Sequence, residues 1–122
     1  LGFLAGVDAL LASLLLAHAT QARDGGQWTQ VDPATREWFR SQTIPGTSKL
    51  CCNEADGVTA QEEIRGGRYF VSFEVAGTRT TAMEVPDEVV IRGPNKYGLP
   101  VVWYYFEKGK LLIRCYAPGP LS

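Results

Sequence analysis

The sequence predicts a mostly β fold: a small antiparallel sheet or partly closed barrel of five to six strands, with one short N-terminal helix. Three observations predict it. Apolar and polar residues alternate in the second half of the chain, short Gly-containing turns separate the alternating runs, and only one segment carries a helix start signal. A length of 122 residues accommodates one such domain.

The chain opens on an apolar segment that resembles an export signal. The run Ala9–Ala17 ends in Ala-His-Ala, the small-x-small pattern of a signal-peptidase site. We therefore expect residues 1–19 to be a signal peptide, 20–27 a polar linker and 28–122 one disulfide-stapled β domain. Retention of residues 1–19 as a membrane anchor is an alternative, since their length is close to the ~20 apolar residues that a membrane-spanning helix needs. A buried N-terminal helix is a further alternative. The expected location is periplasmic or secreted.

Charge and histidine content narrow the classes of function. The chain has 12 basic and 13 acidic residues and one histidine. Removing residues 1–19 takes away Asp8 and His18, which leaves 12 basic against 12 acidic residues. This balance, without a basic stripe, argues against nucleic-acid binding. A domain without histidine has no Ser-His-Asp or Cys-His site and no imidazole zinc ligand, so we predict no catalytic residue, metal or cofactor.

The helix and the first hairpin follow from local signals. Asp32 is an N-cap followed by Pro at the first helical position, and residues 34–42 continue the helix. In Arg68–Val75 every second residue is apolar, which predicts a strand. The turn Ala76-Gly77 then places Glu74 opposite Arg79. Residues 88–91 predict a further short strand.

The last hairpin is the most clearly marked element. Val101–Phe106 and Leu111–Tyr116 are joined through a Lys108-Gly109 turn. Strict alternation then predicts one face with the pairs Phe106–Leu111, Tyr104–Ile113 and Val102–Cys115, which is apolar and therefore core. The opposite face places Val101, Trp103 and Tyr105 against Tyr116, Arg114 and Leu112.

This second face is the candidate binding surface, because it is rich in aromatic residues. It would suit a protein, a peptide, a glycan or a second copy of the chain, and Trp103 would face Arg114 in a cation–π contact. In the alternative interpretation, Trp38 and Phe39 of the helix cover the same face as part of the core. The candidate residues are Trp103, Tyr105, Leu112, Arg114 and Tyr116.

Three cysteines predict a disulfide rather than a metal site, since structural zinc requires four ligands. In an oxidising compartment Cys52 is expected to pair with Cys115, with Cys51 as the alternative partner. Closing a loop of about 64 residues stabilises the domain by roughly 4 kcal/mol. The remaining thiol is expected to be buried, to link two chains in a disulfide-bonded dimer, or to pair with a partner protein. A bond between Cys51 and Cys52 is a further, uncommon alternative that would leave Cys115 free.

The segments WFRSQTIPGTSKLCCNEADG, VPDEVVIRGPNKYGLPVVWYY and IRCYAPG together carry a resemblance. The chain resembles a group of small exported alphaproteobacterial proteins that combine a Cys-Cys motif with a C-terminal Arg-Cys-aromatic-x-Pro motif. The resemblance extends from about residue 28 to 119. It implies export and a stapled domain, and it implies no particular substrate.

Two further groups of polar residues are candidates for a catalytic or an anion-binding site. The acidic residues are Glu54, Asp56, Glu62 and Glu63. Since Glu62 and Glu63 are neighbours in a predicted strand, their side chains point to opposite faces, which favours a solvated surface over a catalytic carboxylate pair. Residues 92–98 are basic and glycine-containing but lack the phosphate-loop order, so they predict a connecting loop.

The leading hypothesis is therefore a non-enzymatic exported module that binds an unknown partner. One alternative is an enzyme that uses the spare cysteine, with Lys49 as the nearby cation, or a pair of carboxylates. The other is a structural dimer linked by a disulfide.

Overall fold

The computed structural model describes residues 31–53 and 55–120. The predicted signal peptide (1–19) and linker (20–27) lie outside the described residues. The helix α1 spans Pro33–Ser41. The strands are β1 (Asp56–Arg65), β2 (Arg68–Val75), β3 (Thr78–Arg79), β4 (Met83–Glu84), β5 (Val101–Glu107) and β6 (Lys110–Ala117).

The six strands form one antiparallel sheet with the order β3-β2-β1-β5-β6, and β4 pairs with β2 beside β3. The sheet is not closed into a barrel. Strand β1 joins its two halves: residues 56–59 pair with β5, and residues 60–65 pair with β2. The predicted fold class, a small antiparallel sheet with one short helix, is confirmed.

Helix α1 begins at the predicted cap. The Asp32 carboxylate accepts hydrogen bonds from the backbone N–H of Thr35 at 3.0 Å and from its hydroxyl at 2.7 Å. These bonds, the backbone one first, lower the pKa of Asp32. Pro33 is the first helical residue, and the helix ends at Ser41, one residue earlier than predicted.

Each of the two predicted hairpin turns contains two residues with positive φ, which matches the twist of antiparallel strands. In the Ala76-Gly77 turn φ is 51° and 83°, and in the Lys108-Gly109 turn it is 51° and 77°. Glu74 pairs with Arg79 as predicted. Both predicted turns are confirmed.

The inner face of the sheet carries the hydrophobic core. Its buried members come from four segments of the chain and are Val71, Phe73, Val85, Val90, Val102, Ile113 and Tyr116. The predicted strand at 88–91 is wrong: Asp87–Val89 is a 3₁₀ turn. Pro86 precedes it, and the tight turn buries Val90 against Tyr116 of β6 while Glu88 stays in solvent.

A β-bulge in β6 changes the predicted register of the last hairpin. Tyr104 pairs with Ile113 as predicted, but the next pair is Trp103 with Cys115, so Arg114 is an extra residue without a partner in the ladder. The predicted pairs Val102–Cys115, Trp103–Arg114 and Val101–Tyr116 are wrong for this reason. Because a bulge reverses the facing of all later residues in its strand, Cys115 leaves the inner face and Tyr116 joins it.

Candidate functional site

The predicted binding surface is not one exposed face of the hairpin. Trp103 and Tyr116 are both fully buried, and they lie on opposite faces because of the bulge. The other three residues, Tyr105, Leu112 and Arg114, are half-buried. The prediction of a contiguous aromatic binding surface is therefore wrong for its two largest members.

Helix α1 covers the Trp103 side of the hairpin. The Trp103 ring centroid lies 5.2 Å from that of Phe39 and 6.3 Å from that of Trp38. Opposite Trp103 on β1 is Gly57, where an added Cβ would lie 2.3 Å from Phe39 Cζ. Only glycine leaves room for the Phe39 ring, so this helix-covered face is packed core, as in the alternative interpretation of the aromatic residues.

The disulfide joins Cys51, not Cys52, to Cys115, with Cα atoms 5.7 Å apart. The first predicted partner, Cys52, is thus wrong and the alternative is correct. The backbone N–H of Cys51 donates to the Gln42 carbonyl at 2.8 Å, which sets the segment after α1 beside β6. Arg114, freed from the ladder by the bulge, donates from Nε to the Leu50 carbonyl at 2.9 Å. These two bonds place Cys51 next to Cys115.

The remaining thiol, Cys52, is half-buried beneath α1. Its Sγ donates to the Phe39 carbonyl at 3.6 Å. Burial raises the pKa of this thiol, against the smaller lowering effects of the Trp103 indole N–H and the Arg40 charge. The nearby cation is therefore Arg40 rather than the predicted Lys49, and the thiol is protonated at neutral pH.

The predicted solvated acidic surface contains one structural carboxylate. Glu62 Oε1 accepts hydrogen bonds from the Tyr116 hydroxyl at 2.5 Å and from the Gly119 backbone N–H at 3.2 Å. Burial, and next the bond to Glu62, raise the pKa of Tyr116. Glu63 lies on the other face in an exposed ion pair with Arg65. Asp56 is exposed at the start of β1, and Glu54 lies outside the described residues.

The basic loop at 92–100 is organised by one side chain. Asn95 Nδ2 donates to the carbonyls of Leu99 at 2.7 Å and Pro118 at 2.9 Å. Its Oδ1 accepts from the backbone N–H groups of Tyr97 and Gly98. The amide is fully used in holding the loop against the C-terminal segment, which agrees with a connecting loop.

An open cleft at the other end of the sheet was not predicted from the sequence. It has a volume of about 600 Å³. Its walls are the β1–β2 turn on one side and the β4–3₁₀ segment on the other, and the Val85 N–H donates to the Tyr69 carbonyl at 2.9 Å between them. The lining residues are Gly66, Gly67, Arg68, Tyr69, Glu84, Val85, Pro86, Asp87, Glu88 and Val90.

The floor and the rim of this cleft differ in chemistry. Val85 and Val90 are buried core residues, and the half-buried Tyr69 packs its ring 5.5 Å from that of Tyr116. The rim carries the charged side chains Arg68, Glu84, Asp87 and Glu88, all on exposed residues. The cleft thus combines core residues and one aromatic ring at its base with charged groups at its mouth.

Two ion pairs cross the rim. Arg68 pairs with Glu84, and Arg92, outside the cleft, pairs with Asp87 at 2.8 Å. Glu84 first, and then the Asp87 charge, raise the pKa of Arg68. Within residues 31–53 and 55–120, Glu88 makes no ion pair. The cleft mouth therefore retains negative charge.

In the part of the chain that the structure describes, no helix is long and apolar enough to cross a membrane. The same residues contain no group of three or more His, Cys, Asp or Glu side chains arranged to hold a metal ion. Comparisons with protein-family models, with curated proteins and with solved structures gave no match.

Proposed function

We propose that the protein is an exported, non-enzymatic binding module that takes its ligand in the cleft beside Tyr69. The observation that supports this proposal is the cleft itself: about 600 Å³, within the ~300–1,000 Å³ of small-molecule sites. The cleft, rather than the hairpin surface, is the proposed ligand site because Trp103 and Tyr116 are buried.

Export to the periplasm or the exterior is part of the proposal. The Cys51–Cys115 disulfide is compatible with an oxidising compartment, and residues 1–19 have the pattern of a signal peptide. The resemblance to small exported proteins with a Cys-Cys motif supports the same location.

The alternatives have weaker support. A thiol enzyme needs a thiolate, whereas burial raises the pKa of Cys52. A dimer linked through Cys52 would have to withdraw a half-buried sulfur from its bond to the Phe39 carbonyl. Of the acidic residues that the sequence offered as a catalytic pair, Glu62 is already bonded to Tyr116 and Gly119, and Glu63 is paired with Arg65. We expect slow alkylation of Cys52 at pH 7. Rapid alkylation would instead favour the hypothesis that the protein is a thiol-dependent enzyme.

The test is a screen of a chemically mixed fragment set against the ¹⁵N-labelled chain, read by amide chemical shifts. We expect shifts of Gly66, Gly67 and the residues of the 3₁₀ turn. Glu88→Trp, which fills the cleft mouth, should abolish them, while Glu107→Trp, an equally exposed position on the last hairpin, should not. Shifts confined to Tyr105 and Leu112, or no shifts at all, would overturn the proposal.

A further inference from the structure

We infer that the ligand of the cleft is an organic cation: an ammonium or guanidinium group carried on a short apolar chain. This inference rests on the proposed function and specifies its ligand class. Three features of the cleft carry it, namely the charge of the rim, the aromatic floor and the internal use of the donors on the 3₁₀ wall.

The rim has more carboxylates than cations. Among the lining residues Arg68 is the one cation, against the carboxylates of Glu84, Asp87 and Glu88. Pairing of Arg68 with Glu84 and of Arg92 with Asp87 neutralises two of these carboxylates. Among residues 31–53 and 55–120, Glu88 has no ion-pair partner, so its negative charge at the mouth is uncompensated by them. A cationic ligand can pair with it without displacing an existing contact.

The floor suits the body of such a ligand. Tyr69 presents a half-buried ring that is fixed by its contact with Tyr116. A cation near an aromatic ring is attracted by the ring quadrupole, typically by ~0.5–1 kcal/mol at exposed sites. Beside the ring, Val85 and Val90 line the cleft but are almost fully buried, so the Tyr69 ring is the main apolar contact for the ligand's chain.

Several donors around the 3₁₀ wall are already bonded within the protein. The backbone N–H of Val89 donates to the Pro86 carbonyl, and that of Val90 donates to the Asp87 carbonyl, both at 3.2 Å. The Val85 N–H is bonded to Tyr69. The Arg68 guanidinium is already paired with Glu84. An anionic ligand that binds the Arg68 guanidinium would therefore have to break its ion pair with Glu84, and it would approach the Glu88 carboxylate.

The experiment compares three probes that each carry a short alkyl chain, butylguanidinium, butylurea and butanoate, by amide-shift titration of the ¹⁵N-labelled chain. We expect butylguanidinium to bind at least about fivefold more tightly than butylurea, and butanoate to give no saturable shifts at Gly66, Gly67 or Glu88. Glu88→Gln should weaken butylguanidinium about threefold. Glu74→Gln, an exposed carboxylate on β2 outside the cleft, should leave its affinity unchanged.

A second pair of probes separates the two sources of such a cation. The blocked tripeptides Leu-Arg-Leu and Leu-Gln-Leu are titrated in the same way. If the arginine peptide binds more than tenfold more tightly than butylguanidinium, the organic cation is the arginine side chain of a peptide. If the arginine peptide and butylguanidinium bind with equal affinity, the organic cation is a small molecule.

Two results would overturn the inference. Equal binding of butylurea or butanoate would exclude a cation-specific site, yet it would leave the proposed binding function standing. Absence of any shift with all five probes would also exclude the organic cation. The proposed function fails separately, when the mixed fragment set produces no shifts at the cleft.

Discussion

The Trp103 side of the β5–β6 hairpin and the Tyr69 cleft both contain large aromatic side chains, yet only the cleft is open to solvent. On the hairpin, α1 and the Cys51–Cys115 disulfide enclose Trp103. At the cleft, the β1–β2 turn and the 3₁₀ turn stand apart and leave about 600 Å³ between them. Aromatic content thus marks the core in one region, whereas the candidate site lies where two charged turns meet beside the sheet.

The largest expected effect comes from removing the centre of the enclosed region. Trp103→Ala should lower the free energy of unfolding by about 3–5 kcal/mol, because it deletes a fully buried side chain. Tyr105→Ala, on the same hairpin but half-buried, should cost much less. Urea denaturation measures both. Similar costs for the two variants would remove the distinction between enclosed and open aromatic residues.

The disulfide should contribute nearly as much. Cys51 and Cys115 are 64 residues apart, so Cys115→Ser should lower the free energy of unfolding by about 4 kcal/mol in the chain-entropy model. Cys52→Ser, which removes the free thiol, should change it by less than ~1 kcal/mol. An equal loss in both variants, again by urea denaturation, would show that Cys52 shares the bond.

A smaller effect is expected where the helix meets β1. Gly57→Ala places a Cβ against the Phe39 ring, and relieving this contact should cost about 1–3 kcal/mol. Gly93→Ala is the matched control, because an added Cβ there meets nothing within 4 Å and should change stability by less than ~0.5 kcal/mol. Equal thermal midpoints for the two variants would mean that α1 does not pack on Gly57.

The smallest effect concerns Tyr116 and its pH dependence. The pKa of Tyr116 is raised in the folded domain, so its contribution to stability is complete below the unfolded-state pKa of ~10 and is lost as pH rises above it. Burial raises the pKa of Tyr104 in the same direction. Tyr116→Phe should cost roughly 1–2 kcal/mol at pH 7 by removing the bond to Glu62.

The same variant should lose less stability than the wild type between pH 9 and pH 11. Tyr105→Phe serves as control, since among the residues that the structure describes no hydrogen bond to its hydroxyl occurs. The free energy of unfolding, measured against pH, decides the point. An unchanged alkaline slope in Tyr116→Phe would contradict a buried, Glu62-bonded phenol.

Local sequence signals predicted the elements but not the arrangement around Trp103. The Asp32 cap and the Ala76-Gly77 turn depend on neighbouring residues, and both were correct. The bulge at Arg114 interrupts an otherwise regular apolar run without Gly or Pro, and its bond to Leu50 joins residues far apart in the chain. Because of this one extra residue, the side chains of Cys115 and Tyr116 lie on the opposite faces of the sheet from those predicted by strict alternation.

The choice between adjacent cysteines and the position of the cleft were also beyond local patterns. Cys51 is selected by its backbone bond to Gln42, which depends on where α1 ends. The cleft arises where the Gly66-Gly67 turn lies beside Pro86 and Asp87. Each turn is visible in the sequence, but their proximity is a property of the folded sheet.

The most direct test of the enclosed hairpin face is hydrogen exchange of the Trp103 indole N–H, followed by NMR under native conditions. This side chain is fully buried, so we expect its proton to exchange only when the whole domain unfolds, with the free energy obtained from urea denaturation. Exchange within minutes, in a domain that remains folded, would show that solvent reaches Trp103. It would then favour the hairpin face as the binding surface.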